Sequence, residues 1–103
     1  MKERKNKIMR YVEKFLKGNK IQTECEIHTG DTWQSVDIDF LNDEKKMEET
    51  SFDVAQVLSK NGQSVLSQLF DDFCIENNFS HPEIVSITVV KSAWTYMDIM
   101  GEN

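Results

Sequence analysis

The stretch TGDTWQSVDIDF, Thr29 to Phe40, decides how this chain is read. From Trp33 onward, polar and apolar residues alternate with a period of two, as they do on a strand that buries one face. Val36, Ile38 and Phe40 share one face; Trp33, Ser35, Asp37 and Asp39 share the other. Just upstream, Ile21 to His28 alternates in the same way. Ile21, Thr23, Cys25 and Ile27 oppose Gln22, Glu24, Glu26 and His28. Gly30 suits the first central position of a type II′ turn, so the two segments are expected to form a hairpin with Gly30 and Asp31 at its tip. That register sets Cys25 against Val36 and Glu24 against Asp37, with Glu26 and Asp39 as diagonal neighbours. The four carboxylates would then crowd one face, where like charges oppose each other unfavourably.

The rest of the chain supplies helices to cover the apolar face. Ile8, Tyr11, Val12, Phe15 and Leu16 recur at helical spacing, and Gly18-Asn19 follows as a C-terminal stop, which predicts a helix over residues 3–17. Asn42 to Thr50 reads as an exposed polar connection. Ser51 can cap a short helix carrying Val54, Val57 and Leu58 and closed by Asn61-Gly62. A strand is the alternative for that segment, because Phe52, Val54, Gln56 and Leu58 also alternate. Gln63 to Asn78 carries an amphipathic stripe, Val65, Leu66, Leu69, Phe70, Phe73 and Cys74, with Asp71, Asp72 and Glu76 on the outside. Pro82 bars its continuation. Ile84 to Val90 is rich in β-branched residues and predicts a strand beside the hairpin, running on through Trp94 to Tyr96. Its two apolar faces suggest cover on both sides.

The sum is one α+β domain over residues 1–103, in the order α-β-β-α-α-β, with a three-stranded, mainly antiparallel sheet and helices packed on it. A length of 103 residues suits one core, and 39% hydrophobic content is enough to fill it. No apolar run reaches the roughly 20 residues that a membrane span needs. The charged start, Met1-Lys-Glu-Arg-Lys, leads into no secretory signal. Cys25 and Cys74 lie far apart among apolar neighbours and read as free thiols in a cytoplasmic protein.

Charge is divided along the chain. The net charge is −6, yet residues 1–20 hold eight of the twelve basic side chains against Glu3 and Glu13. That segment is strongly basic and the remainder strongly acidic, a split that points to a charged partner. Phosphate contacts from residues 2–20 would make the chain a nucleic-acid-associated regulator, but the acidic remainder opposes the same backbone, which argues against direct nucleic-acid binding.

Catalysis finds little footing. No glycine-rich phosphate loop is present, and neither His28 nor His81 suggests a nucleophile pair with a serine or cysteine. A carboxylate pair such as Asp37 and Asp39 would need a cleft that separates its pKa values, which alternate positions on an open strand do not supply. A divalent cation held by Glu24, Asp37 and His28 would lack the loop carbonyls that hard cations use. The expectation is therefore no enzyme, no metal and no cofactor, with a small enzyme or metal-binding protein ranked last.

The functional expectation is an acidic protein that binds and inhibits or regulates a protein with a basic surface, such as a nucleic-acid enzyme. Its protein-binding residues would be Glu24, Glu26, Asp37 and Asp39, with Trp33 as an aromatic anchor. In size and charge alone the chain is similar to phage-type anti-CRISPR and anti-restriction inhibitors and to toxin-immunity proteins.

Overall fold

A computed structural model describes residues 9–28 and 32–93. Helix α1 (Tyr11–Phe15) is followed by strand β1 (Gln22–Thr23), β2 (Trp33–Leu41) and β3 (Met47–Ala55). Helix α2 (Lys60–Glu76) and strand β4 (Glu83–Ala93) complete it. The four strands form one mixed sheet in the order β1-β4-β2-β3, and both helices lie against the same face. No helix among the described residues is long and apolar enough to cross a membrane.

The α+β class and the helix-covered sheet agree with the sequence, but the strand pairing does not. Strand β2 is central, antiparallel to β3 on one side and to β4 on the other. Both its edges are occupied, so Ile21–His28 cannot form a hairpin with it. That segment instead adds two residues parallel to β4, Gln22 beside Thr88 and Thr23 beside Val89. The expected turn at Gly30-Asp31 lies outside the described residues.

The real hairpin joins β2 to β3, in a segment that the sequence presented as a connection followed by a helix. Asn42 organises its loop. The Asn42 amide donates to the Lys46 carbonyl and the Lys45 amide to the Asn42 carbonyl, each at 2.8 Å. The Asn42 side-chain oxygen accepts from the amides of Glu44 (2.8 Å) and Lys46 (3.0 Å). Lys45 takes φ 66°, the left-handed position that closes a three-residue hairpin loop. Glycine or asparagine usually marks that position, so a lysine there hid the turn.

The short helix expected from Ser51 does not form, because Ser51 to Ala55 belong to β3, and the helix expected over 63–78 starts earlier, at Lys60. Its N-cap is Ser59, whose hydroxyl accepts from the Gly62 amide at 3.0 Å. Gly62 ends no helix. It sits in the first turn of α2, where a Cβ would come within 2.0 Å of the Gln56 carbonyl oxygen. Buried Gln34 fixes the connection before this helix by accepting from the Val57 amide at 2.7 Å.

The core gathers Val36, Ile38 and Phe40 from β2, Val54 from β3, and Ile87 and Val89 from β4 under Leu66, Phe70 and Cys74 of α2. Phe40 is its aromatic centre, with ring centroids 5.3 Å from Phe70, 5.5 Å from Phe79 and 6.0 Å from Phe73. Most of the expected helical stripe is buried or half-buried, but Val65 is exposed. Burial and two neighbouring acids push the Cys74 thiol up to about 12, so it behaves as a small hydrophobe. Both cysteines are free.

Asp71, expected on the outside of α2, is buried because it caps the other helix. Its carboxylate accepts from the Arg10 amide at 2.8 Å and the Tyr11 amide at 3.4 Å. Arg10 is left-handed at φ 53°, which breaks the helix expected across residues 3–17 at that point. Desolvation raises the Asp71 carboxyl, while the two amides oppose the rise.

The apolar run Ile84–Val90 has a different explanation from cover on both sides. Its pairing with β2 steps out of register twice, skipping Val90 and Val85. These bulges insert two residues into a strand whose inward positions are Ile84, Ile87 and Val89 and whose outward ones include Ser86, Thr88 and Lys91. Trp94 and Tyr96 lie outside the described residues.

Two substitutions check this architecture. Phe70→Ala empties the ring contacts to Phe40 and should lower the unfolding free energy by about 3–5 kcal/mol in a denaturant melt. Lys45→Gly relieves a left-handed backbone and should raise stability by roughly 0.5 kcal/mol, the strain relief exceeding the added freedom of the unfolded chain. A loss on Lys45→Gly would refute the loop conformation.

Candidate functional site: an acidic open sheet face

With both helices on one side, the alternation of β2 sends Trp33, Ser35, Asp37 and Asp39 to the other, which no described element covers. Asp37 and Asp39 lie there as the sequence predicted. Their neighbours are different. The β2–β3 register sets Asp37 opposite Ser51, Asp39 opposite Glu49 and Ser35 opposite Asp53. On the other flank Thr88 and Ser86 of β4 stand beside Asp37 and Asp39. The acidic cluster is thus Asp37, Asp39, Glu49 and Asp53.

Glu24 and Glu26 do not join it. They follow β1, on the far side of β4, where the Glu24 amide donates to the Val89 carbonyl at 2.8 Å. Glu26 approaches His28 at 3.5 Å. The sequence missed Glu49 and Asp53 because residues 42–61 were divided between a connection and a short helix. The available signal was the alternation of Glu49, Ser51 and Asp53 with Phe52 and Val54, which also fits a strand.

Serines on adjacent strands hold three of the acids. The Ser51 hydroxyl donates to Asp37 Oδ1 at 2.5 Å, Ser35 to Asp53 Oδ1 at 2.9 Å, and Ser86 to Asp39 Oδ2 at 3.2 Å. Each hydroxyl satisfies one carboxylate oxygen without neutralising its charge. Glu49 faces Asp39 directly, and its carboxyl is raised above the ordinary 4.5. The first cause is a hydrogen bond with Asp37 that needs a proton on the pair, followed by the charges of Asp37 and Asp39.

Trp33 stands at one end of this face. Its cross-strand partners are Ala55 and Ala93, too small to cover the indole, which is 52% exposed. Beside it an open hollow of about 400 Å³ is lined by Trp33, Ser35, Asp53, Lys91 and Ala93. A second hollow of about 360 Å³, lined by Asp37, Ser51, Asp53 and Lys91 among others, continues along the face. Neither histidine lines these hollows. Among the described residues, no three His, Cys, Asp or Glu side chains gather closely enough to hold a metal ion. What the arrangement offers is a row of carboxylate acceptors with Lys91 on its β4 flank and an aromatic ring at its end.

Compared with known proteins, the chain matches no family model, no curated protein and no solved structure.

The raised carboxyl of Glu49 gives a pH signature. Its folded value lies above the unfolded one, so the folded state favours the protonated form. The stability linked to that proton is complete below about 4.5 and is lost as pH rises through the folded value. Glu49→Gln should therefore raise the melting temperature at neutral pH, and the gain should vanish at pH below 4.5. A gain that persists unchanged in acid would show that repulsion is not its source.

Proposed function

We propose that this chain is a non-enzymatic binding protein that captures a basic protein surface on the open face of its sheet. The observation that carries the reading is the set Asp37, Asp39, Glu49 and Asp53 on a sheet face that no described element covers, with Ser86, Ser51 and Ser35 orienting three of the carboxylates. Acids so opposed repel one another in the free protein, and lysine or arginine side chains would relieve that repulsion on docking. Exposed Trp33 supplies an apolar anchor at the end of the row, the kind of residue that often dominates binding energy.

A surface of this sign competes with phosphates for a basic groove. Inhibition of a nucleic-acid enzyme, by filling the site its substrate would occupy, is the form of regulation that such a face suits. Steered by opposite charge, association would be fast and would weaken with added salt.

The test reverses the charge where the hydroxyls hold it. Asp37→Lys with Asp39→Lys removes the repulsion with Glu49 and should leave the fold intact by circular dichroism. The double variant should lose capture of poly-lysine and of basic nucleic-acid-binding proteins at physiological salt, because the new charges repel them. Capture equal to that of the parent would refute the reading.

A further inference from the structure

Among the described residues, the outer edge of β3 is the longest run of strand backbone without a neighbouring strand. Strand β3 is nine residues long and ends the sheet; among the described residues nothing pairs with its far side. Its register with β2 is continuous, without a bulge, and it contains no proline and no lysine. These are the devices by which edge strands normally avoid pairing. One other is present: Glu48 (half-buried and tied to Asn42 at 2.8 Å), Glu49 and Asp53 put charge along the edge, which opposes an acidic strand but not a basic one. The opposite edge of the sheet, β1, is only two residues long.

Antiparallel geometry says which groups are free. The Asn42 amide bonds to the Lys46 carbonyl, and the Gln56 amide to the Thr32 carbonyl, so the even-numbered residues of β3 bond to β2. The amides and carbonyls of Glu49, Ser51 and Asp53 therefore point outward. The same residues carry their side chains on the open acidic face. A strand added here would place the residues opposite Glu49, Ser51 and Asp53 on that face, with the intervening ones toward the half-buried Phe52.

We infer that β3 accepts an extended segment of a partner protein as a fifth strand, antiparallel, with basic residues four apart opposite Glu49 and Asp53. The inference rests on the proposed capture of a basic protein and specifies how the partner is held. Backbone bonds supply the grip, and charge selects the sequence. A second copy of this chain is the wrong occupant: pairing centred on Ser51 would set Glu49 of one copy against Asp53 of the other. The spacing follows from the strand period, because a slip by one residue turns the basic side chains away from the carboxylates.

The experiment titrates the full, isotope-labelled chain at low salt with the peptide acetyl-Thr-Lys-Val-Thr-Val-Lys-Thr-amide, read by amide NMR. Two relatives serve as controls. One carries N-methyl groups on both lysines and the central threonine, which keeps its charge but removes the pairing donors; the other has glutamate for both lysines. The parent peptide should shift the amides of Glu49, Ser51 and Asp53 and slow their exchange with solvent. The methylated peptide should bind at least about tenfold more weakly, the low end for three lost hydrogen bonds, and the glutamate peptide should leave these amides unchanged. Equal binding of methylated and parent peptides would overturn strand addition while leaving capture by charge standing. Absence of any effect of the parent peptide at β3 would also overturn it. Equal protection by the glutamate peptide would refute the basic occupant. Capture of basic proteins fails on separate grounds, if the Asp37→Lys, Asp39→Lys variant retains it.

Discussion

The burial of Val36, Ile38 and Phe40 against α2 is the constraint from which the rest of the molecule follows. A strand has two faces and a period of two, so committing those three side chains to the core commits Ser35, Asp37 and Asp39 to the opposite side. Phe40 anchors this choice through its contacts with Phe70, Phe73 and Phe79, three rings drawn from α2 and the segment after it. Because β2 is central, its choice of face is imposed on both neighbours. Glu49 and Asp53 arrive beside Asp37 and Asp39 through the β3 register, and Ser86 through that of β4.

Both helices are then needed on one side, and the structure links them by a buried carboxylate. Asp71 leaves the solvent to accept the first amides of α1, a helix of five residues too short to be stable without such help. Asp43 does a related job at the surface. It accepts from the amides of Ser80 (2.9 Å) and His81 (2.7 Å), joining the β2–β3 loop to the segment before β4. Those bonds hold its carboxyl below its ordinary value. Asp71 and Asp43 thus bind backbone amides and tie elements of the fold together, whereas Asp37, Asp39 and Asp53 on the open sheet accept from serine hydroxyls.

That division has a consequence for how the open face can behave. Asp37, Asp39 and Asp53 each accept from a neighbouring serine hydroxyl, which orients a carboxylate without neutralising it. Under the proposed capture of a basic surface, such a face would meet its partner with little reorganisation, which favours fast association. In the same proposal the unbulged outer edge of β3 would add directional bonding to selection by charge.

Much of this was legible in the residues themselves. The stripe from Leu66 to Cys74 spans enough turns for its period to be unambiguous, and α2 lies where it indicated. The alternation from Trp33 to Phe40 correctly sorted Asp37 and Asp39 from the core. The position of Glu24 and Glu26, the hairpin at Lys45 and the burial of Asp71 were not legible. Lys45 occupies a left-handed position without the usual glycine, and Asp71 looks like any solvent-facing acid until a second helix presents its amides. In β4, two bulges made a strand with one buried face resemble one buried on both. The sequence by itself determined which side chains share a face, because that period belongs to each strand alone. Only the tertiary structure decided which strands became neighbours, because Ile21–His28, β3 and β4 could all compete for the two edges of β2, and the outcome depends on how every apolar face is buried at once.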